Sequence, residues 1–157
     1  LGDSKNSDTY LNAACIKQEV AEMTDGKNTL IGSGGTYLSG GQAKRLAFAR
    51  TLCHDKPILI LDDPFSALDK NTEKQAFVNL QALAKDSIVL LISHRLYLFP
   101  EMDGVIWMEN GKAVTGTHEE LLKIVPEYKS LYTSQVHTAE NGGAEHDAQK
   151  TSENSDL

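Results

Sequence analysis

Two short apolar runs, Ile58-Leu59-Ile60-Leu61 and Ile88-Val89-Leu90-Leu91-Ile92, constrain this chain more than any other feature. Neither is interrupted by a polar residue, so each reads as a strand buried on both faces of a parallel sheet. Between them Ala76, Phe77, Leu80, Leu83 and Ala84 recur at helical spacing. That spacing predicts a helix from about Lys70 to Ala84 with one apolar face, which reads as core packing. Asp69 stands where it can cap that helix. Strand, helix, strand in this order makes the fold class α/β. The order also brings two strand ends to one sheet edge, where open α/β sheets bind their ligands. The first strand ends in Asp62-Asp63 and the second in Ser93-His94.

Upstream lies Leu38-Ser39-Gly40-Gly41-Gln42. Ser39 with Gln42 forms a capping box, in which hydroxyl and amide each satisfy an orphan backbone group. Leu46, Ala49 and Cys53 follow at helical spacing, so a helix is expected from about Ser39 to Cys53. Gly40 and Gly41 are poor helix formers. Their presence in a first turn suits close approach by a ligand, and a helix N-terminus favours phosphate. Two glycines alone would be an ordinary loop; the full pentapeptide with Arg45 and the Ala49-Arg50 pair is more specific. A further helix is expected from about Asp8 to Met23. Strands are expected at Gly104–Glu109 and Ala113–Gly116. Thr117 with Glu120 makes a second capping box.

At 157 residues the chain allows one modest domain. No apolar run is long enough for a membrane helix, and no signal-peptide pattern opens the chain. Cys15 and Cys53 fit no metal or redox spacing, which suits a reducing compartment. A net charge of −7 argues against nucleic acid as a partner. Part of that charge sits in residues 136–157, rich in Gly, Ser, Asn and acids without apolar periodicity, and this tail is expected to be disordered. His54, His118, His137 and His146 match no motif and read as solvated.

Taken in order, Leu38–Gln42, Ile58–Asp63, Ser66-Ala67-Leu68-Asp69 and Ser93-His94-Arg95 resemble the second half of an ATP-binding-cassette (ABC) ATPase. The resemblance spans about Leu1 to Gln135. It implies the distal half of a P-loop NTPase cassette: residues 1–50 as the helical signature subdomain and 51–135 as the distal part of the α/β core. It implies ATP and Mg²⁺ as cofactors. Ser39, Gly40, Gly41 and Gln42 would face the nucleotide of a second cassette. Asp62 would be the Walker B acid that orients Mg²⁺. Asp69 would close the D-loop that crosses between cassettes, and His94 would be the switch histidine at the γ-phosphate.

Asp63 departs from the family pattern, which has Glu to polarise the attacking water. Its carboxylate falls about 1 Å or more short of that position, a displacement that can cost ~10²-fold in rate. Either Asp63 marks a slow, degenerate site in a heterodimer, or it still acts as the base through a longer hydrogen bond.

Ile92–Leu96, Gly111-Lys112, Gly116–Leu122, Tyr128, Leu131 and Gln135 follow the exporter branch of the family. Gly32-Ser33-Gly34-Gly35 occupies the place of its "GERG" segment without the acid and base. No phosphate-cradling GxxxxGK[ST] sequence occurs, and the chain begins with Leu1. The chain therefore reads as a piece of an exporter at the cytoplasmic face of a membrane, partnered by a second cassette and a transmembrane domain, inactive and poorly stable alone. A soluble ABC ATPase of repair or translation, and a non-catalytic regulatory cassette, are the alternatives.

Overall fold

The computed structural model describes residues 6–54, 56–66 and 68–137. These fall into two compact units that divide between Ser93 and His94.

The first unit opens with α1 (Ser7–Ala13) and α2 (Lys17–Ala21), where a single helix over Asp8–Met23 was expected. The break is at Cys15, whose φ of 53° is left-handed. The Cys15 amide donates to the Asn12 carbonyl (2.9 Å) and the Ile16 amide to the Leu11 carbonyl (3.0 Å). This is the Schellman termination, and the two residues that such a turn sets against each other, Leu11 and Ile16, are both buried. A cysteine in the position usually held by Gly leaves no local signal of the stop.

Residues 30–36 form a closed loop in which the Thr36 amide donates to the Leu30 carbonyl at 2.8 Å. A Cβ at Gly35 would lie 2.1 Å from that same carbonyl oxygen, so only glycine fits there. Helix α3 (Gly40–Cys53) follows, then β1 (Ile58–Asp62), α4 (Lys70–Leu83) and β2 (Ile88–Ile92). These match the expected elements to within a residue. Helix α1 packs on α3 and α4.

β1 and β2 pair in parallel, with Ile58 opposite Ile88 and Asp62 opposite Ile92. Burial on both faces, expected from the apolar runs, is not what the structure shows. Leu59 and Leu61 are buried, whereas Ile60 is 65 % exposed, and Ile58, Ile88, Leu90 and Ile92 are exposed with it. Among the described residues of this unit nothing covers that face. Phe65, buried in the same unit, packs edge-on against Phe48 (5.5 Å) and Phe77 (6.4 Å).

The second unit begins with a 3₁₀ segment, Leu96–Glu101. A hairpin of β3 (Val105–Glu109) and β4 (Lys112–Gly116) turns at Asn110-Gly111, both with positive φ, as a two-residue hairpin requires. Then come α5 (His118–Ile124) and α6 (residues 126–137). Pro126 opens α6 at the position where a missing N–H costs nothing. Leu96, Val105, Leu121, Val125 and Tyr128 form the core. Residues 136 and 137 still belong to α6, and the rest of the expected tail lies outside the described residues, as does His146.

His118 corrects an expectation. It is buried, not solvated, and its Nδ1 lies 2.6 Å from the Tyr128 hydroxyl. Burial, then the nearby Tyr132 and Glu119, push the Tyr128 phenol up to about 12. A neutral Tyr128 hydroxyl and the His118 ring thus share this buried hydrogen bond. Among the described residues no helix is long and apolar enough to cross a membrane.

Candidate functional site

In the first unit the residues singled out from sequence gather on α3, at the end of β1 and in the turn before α4. Ser39 caps α3 as anticipated: its hydroxyl accepts from the Gln42 amide (3.2 Å) and its own amide donates to Gln42 Oε1 (2.9 Å). The Ala43 amide donates to the Ser39 carbonyl (2.9 Å), the first intrahelical bond. Gly40 and Gly41 are thus the first-turn residues whose N–H groups have no intrahelical partner. Ser39 and Gly40 are exposed, and a Cβ at Gly40 would meet open space. Gly40 therefore satisfies no packing need of this unit. With Gly41 it keeps a bare backbone at the positive end of a 14-residue helix.

A network absent from the sequence reading fixes this helix end. Gln42 Nε2 donates to Glu19 Oε2 at 2.9 Å. Arg45 grips the same carboxylate with both terminal nitrogens, 2.5 Å to Oε1 and 3.0 Å to Oε2. Arg45 Nη1 also donates to the Cys15 carbonyl at 2.7 Å. Burial pushes the Glu19 carboxyl up, but the bonds from Arg45 and Gln42 outweigh it and hold the group below its ordinary value. The break between α1 and α2 is thereby tied to the start of α3. Lys44 of α3 contacts Ser66, in the turn after β1.

Asp62 ends β1 with its side chain exposed, on the same strand face as Ile60. Asp63 is half-buried, and its amide extends the ladder to the Ile92 carbonyl at 2.8 Å. Its φ is 44°, a left-handed conformation that Asp tolerates better than longer side chains. The turn then buries Phe65 and reaches Asp69, which caps α4 by accepting from the Asn71 and Thr72 amides, each at 3.0 Å. Hydrogen bonds from Thr72, and then Asn71, hold the Asp69 carboxyl low. Ala67 is outside the described residues.

Among the described residues no three His, Cys, Asp or Glu side chains stand together as a metal cage. A hard cation at Asp62 would take its remaining ligands from phosphate oxygens and water, as Mg²⁺ does, and a single exposed carboxylate fits that donor set.

His94 belongs to the second unit and is exposed. Its backbone is held by α6: Gln135 Nε2 donates to the His94 carbonyl (2.6 Å), and the Leu96 amide donates to Gln135 Oε1 (2.9 Å).

Comparison with known proteins agrees with this arrangement. The ABC transporter family model matches residues 10–66. The ATP-dependent lipid A-core flippase of Cupriavidus pinatubonensis is 41 % identical over 137 residues, 87 % of this chain and 23 % of the flippase. That of Burkholderia thailandensis is 43 % identical over 126 residues, 80 % of this chain and 21 % of the flippase. The chain belongs to the ABC transporter family. Among solved structures, a bacterial Atm1-family ABC exporter with ATP bound superposes with a TM-score of 0.77 at 31 % identity, covering 85 % of this chain and 24 % of the exporter. The chain thus spans less than a quarter of the length of these relatives. Its fold is that of part of an ABC cassette, a mixed helix and strand structure with a parallel sheet.

Proposed function

We propose that this chain is the distal part of the ATP-hydrolysing cassette of an ABC exporter, and that α3 serves ATP held by a second cassette. The observation that carries this is the capped, exposed start of α3, where Gly40 keeps a bare backbone that the unit's own packing does not need. Residues 1–50 are the helical signature subdomain, and 51–135 contribute the distal core. Asp62 orients Mg²⁺, Asp69 closes the turn that passes between cassettes, and His94 reaches the γ-phosphate. The uncovered apolar face of β1 and β2 supports a reading in which further cassette structure packs there, so that these residues alone do not hydrolyse ATP. The membrane domain and the second cassette are partners outside this chain, which lies at the cytoplasmic face, and the cargo is chosen in the membrane domain.

The test is Gly41→Asp in the assembled transporter. A side chain and a negative charge where a phosphate is to sit lower ATP turnover by ~10²–10³-fold. Turnover near wild type sinks the assignment.

Asp63 makes the chain one half of an unequal pair. The signature end of α3 is intact, while the acid after Asp62 is a methylene short of the usual base. Asp63→Glu then raises hydrolysis at this site by about tenfold, less whatever the left-handed backbone takes from a longer side chain. Asp63→Asn changes total turnover little. Near-complete loss in the Asn variant would instead identify Asp63 as the working base.

A further inference from the structure

Gln135 lies 41 positions from His94 in sequence. No chemistry is otherwise assigned to it. Its amide spans the loop that carries His94: Nε2 donates to the His94 carbonyl at 2.6 Å, and Oε1 accepts from the Leu96 amide at 2.9 Å. The two partners dictate the orientation of the side chain, because a carbonyl only accepts and an amide N–H only donates. No other side chain of this size offers a neutral donor and acceptor on one planar fork. The Gln135 end of α6 is itself anchored. Tyr128, one to two turns earlier, is buried in the core with Leu121 and Val125, and its hydroxyl is fixed by His118. Leu96, the other residue gripped by Gln135, is also in that core. The loop between them carries the exposed His94 side chain on a backbone fixed at both flanks.

We propose that Gln135 is a positioning residue for His94, holding the loop so that the imidazole is preset for the γ-phosphate. The inference rests on the role given to His94 above. Gln135 has both ends of its amide engaged by the His94 loop. It acts by removing backbone freedom that His94 would otherwise have to lose during reaction, which is a transition-state effect rather than a binding effect.

The experiment measures kcat and KM for Mg-ATP in the full-length protein assembled with its partner cassette, alongside thermal unfolding. Gln135→Ala lowers kcat by about tenfold with KM changed less than about twofold. Gln135→Glu keeps the acceptor for Leu96 but sets a negative charge against the His94 carbonyl, and it fails to restore kcat. His94→Ala loses at least as much, and the double variant His94→Ala/Gln135→Ala is no slower than His94→Ala alone. A purely structural role predicts otherwise: lowered thermal stability with unchanged kcat per folded molecule, or losses that add in the double variant. Any of these overturns the inference. If His94→Ala itself leaves turnover near wild type, the reading of His94 falls and takes the inference with it. A large His94 effect beside a silent Gln135→Ala sinks the inference alone.

Discussion

The first-unit helix end and the second-unit histidine loop are held by opposite strategies. Ser39 and Gln42 are three residues apart and cap each other, so the start of α3 is shaped by its own sequence neighbourhood. His94 is shaped by Gln135, which arrives from the far end of its unit on a helix packed through Tyr128. The first device survives as long as one helical turn forms. The second exists only when the whole core of its unit is assembled. A functional backbone held locally tolerates distant change, and one held at long range inherits the stability of everything between.

The largest expected effect separates these two. Leu121 is fully buried in the second unit's core, and Leu121→Ala should cost about 2–5 kcal/mol, loosening the Gln135 clamp with it. Ile60 is as apolar but 65 % exposed in this chain, so Ile60→Ser should stay within about 0.5 kcal/mol. Chemical denaturation of the two variants checks this. Equal costs would mean that the β1 face is covered in this chain after all.

A smaller effect tests the local device. Ser39→Ala removes the side-chain acceptor for the Gln42 amide and should cost about 0.5–2 kcal/mol. The lower half of that range is expected, because Glu19 still grips Gln42 and Arg45. Helical circular dichroism during unfolding reads it. A loss no larger in a Glu19→Ala background would deny Glu19 any part in holding the cap.

The smallest effect is confined to the second unit and is read by Trp107, the single tryptophan, whose ring lies 5.5 Å from that of Tyr128. The folded pKa of Tyr128 is raised from 10.0 to about 12. Its contribution to stability is therefore complete below pH 10 and is lost as pH rises through about 12. Trp107 emission should hold steady to pH 10 and change above it, and Tyr128→Phe should abolish that alkaline step. A step that persists in the Phe variant would assign it to another group.

Much of this was legible in the chain itself. Both capping boxes, Ser39/Gln42 and Thr117/Glu120, were readable because their partners lie within one turn. β1, α4 and β2 were readable because a continuous apolar run and a 3.6-residue stripe are periodic signals. The stop at Cys15 was not, since a left-handed cysteine is favoured by burying both Leu11 and Ile16 and by Arg45 reaching its carbonyl. His118 looked like a surface residue because nothing beside it in sequence reveals that Tyr128 and Tyr132 close over it.

The sequence by itself determined the order of elements, the capped helix with two bare glycines, and the acids and histidine that follow the strands. These are written in spacings of two to four residues, where backbone geometry turns sequence directly into neighbourhood. Only the tertiary structure decided that Glu19 joins Gln42 to Arg45, that one face of β1 and β2 stays open, and that Gln135 holds His94. Such pairings depend on how helices pack, and packing brings together residues whose separation along the chain carries no periodic mark.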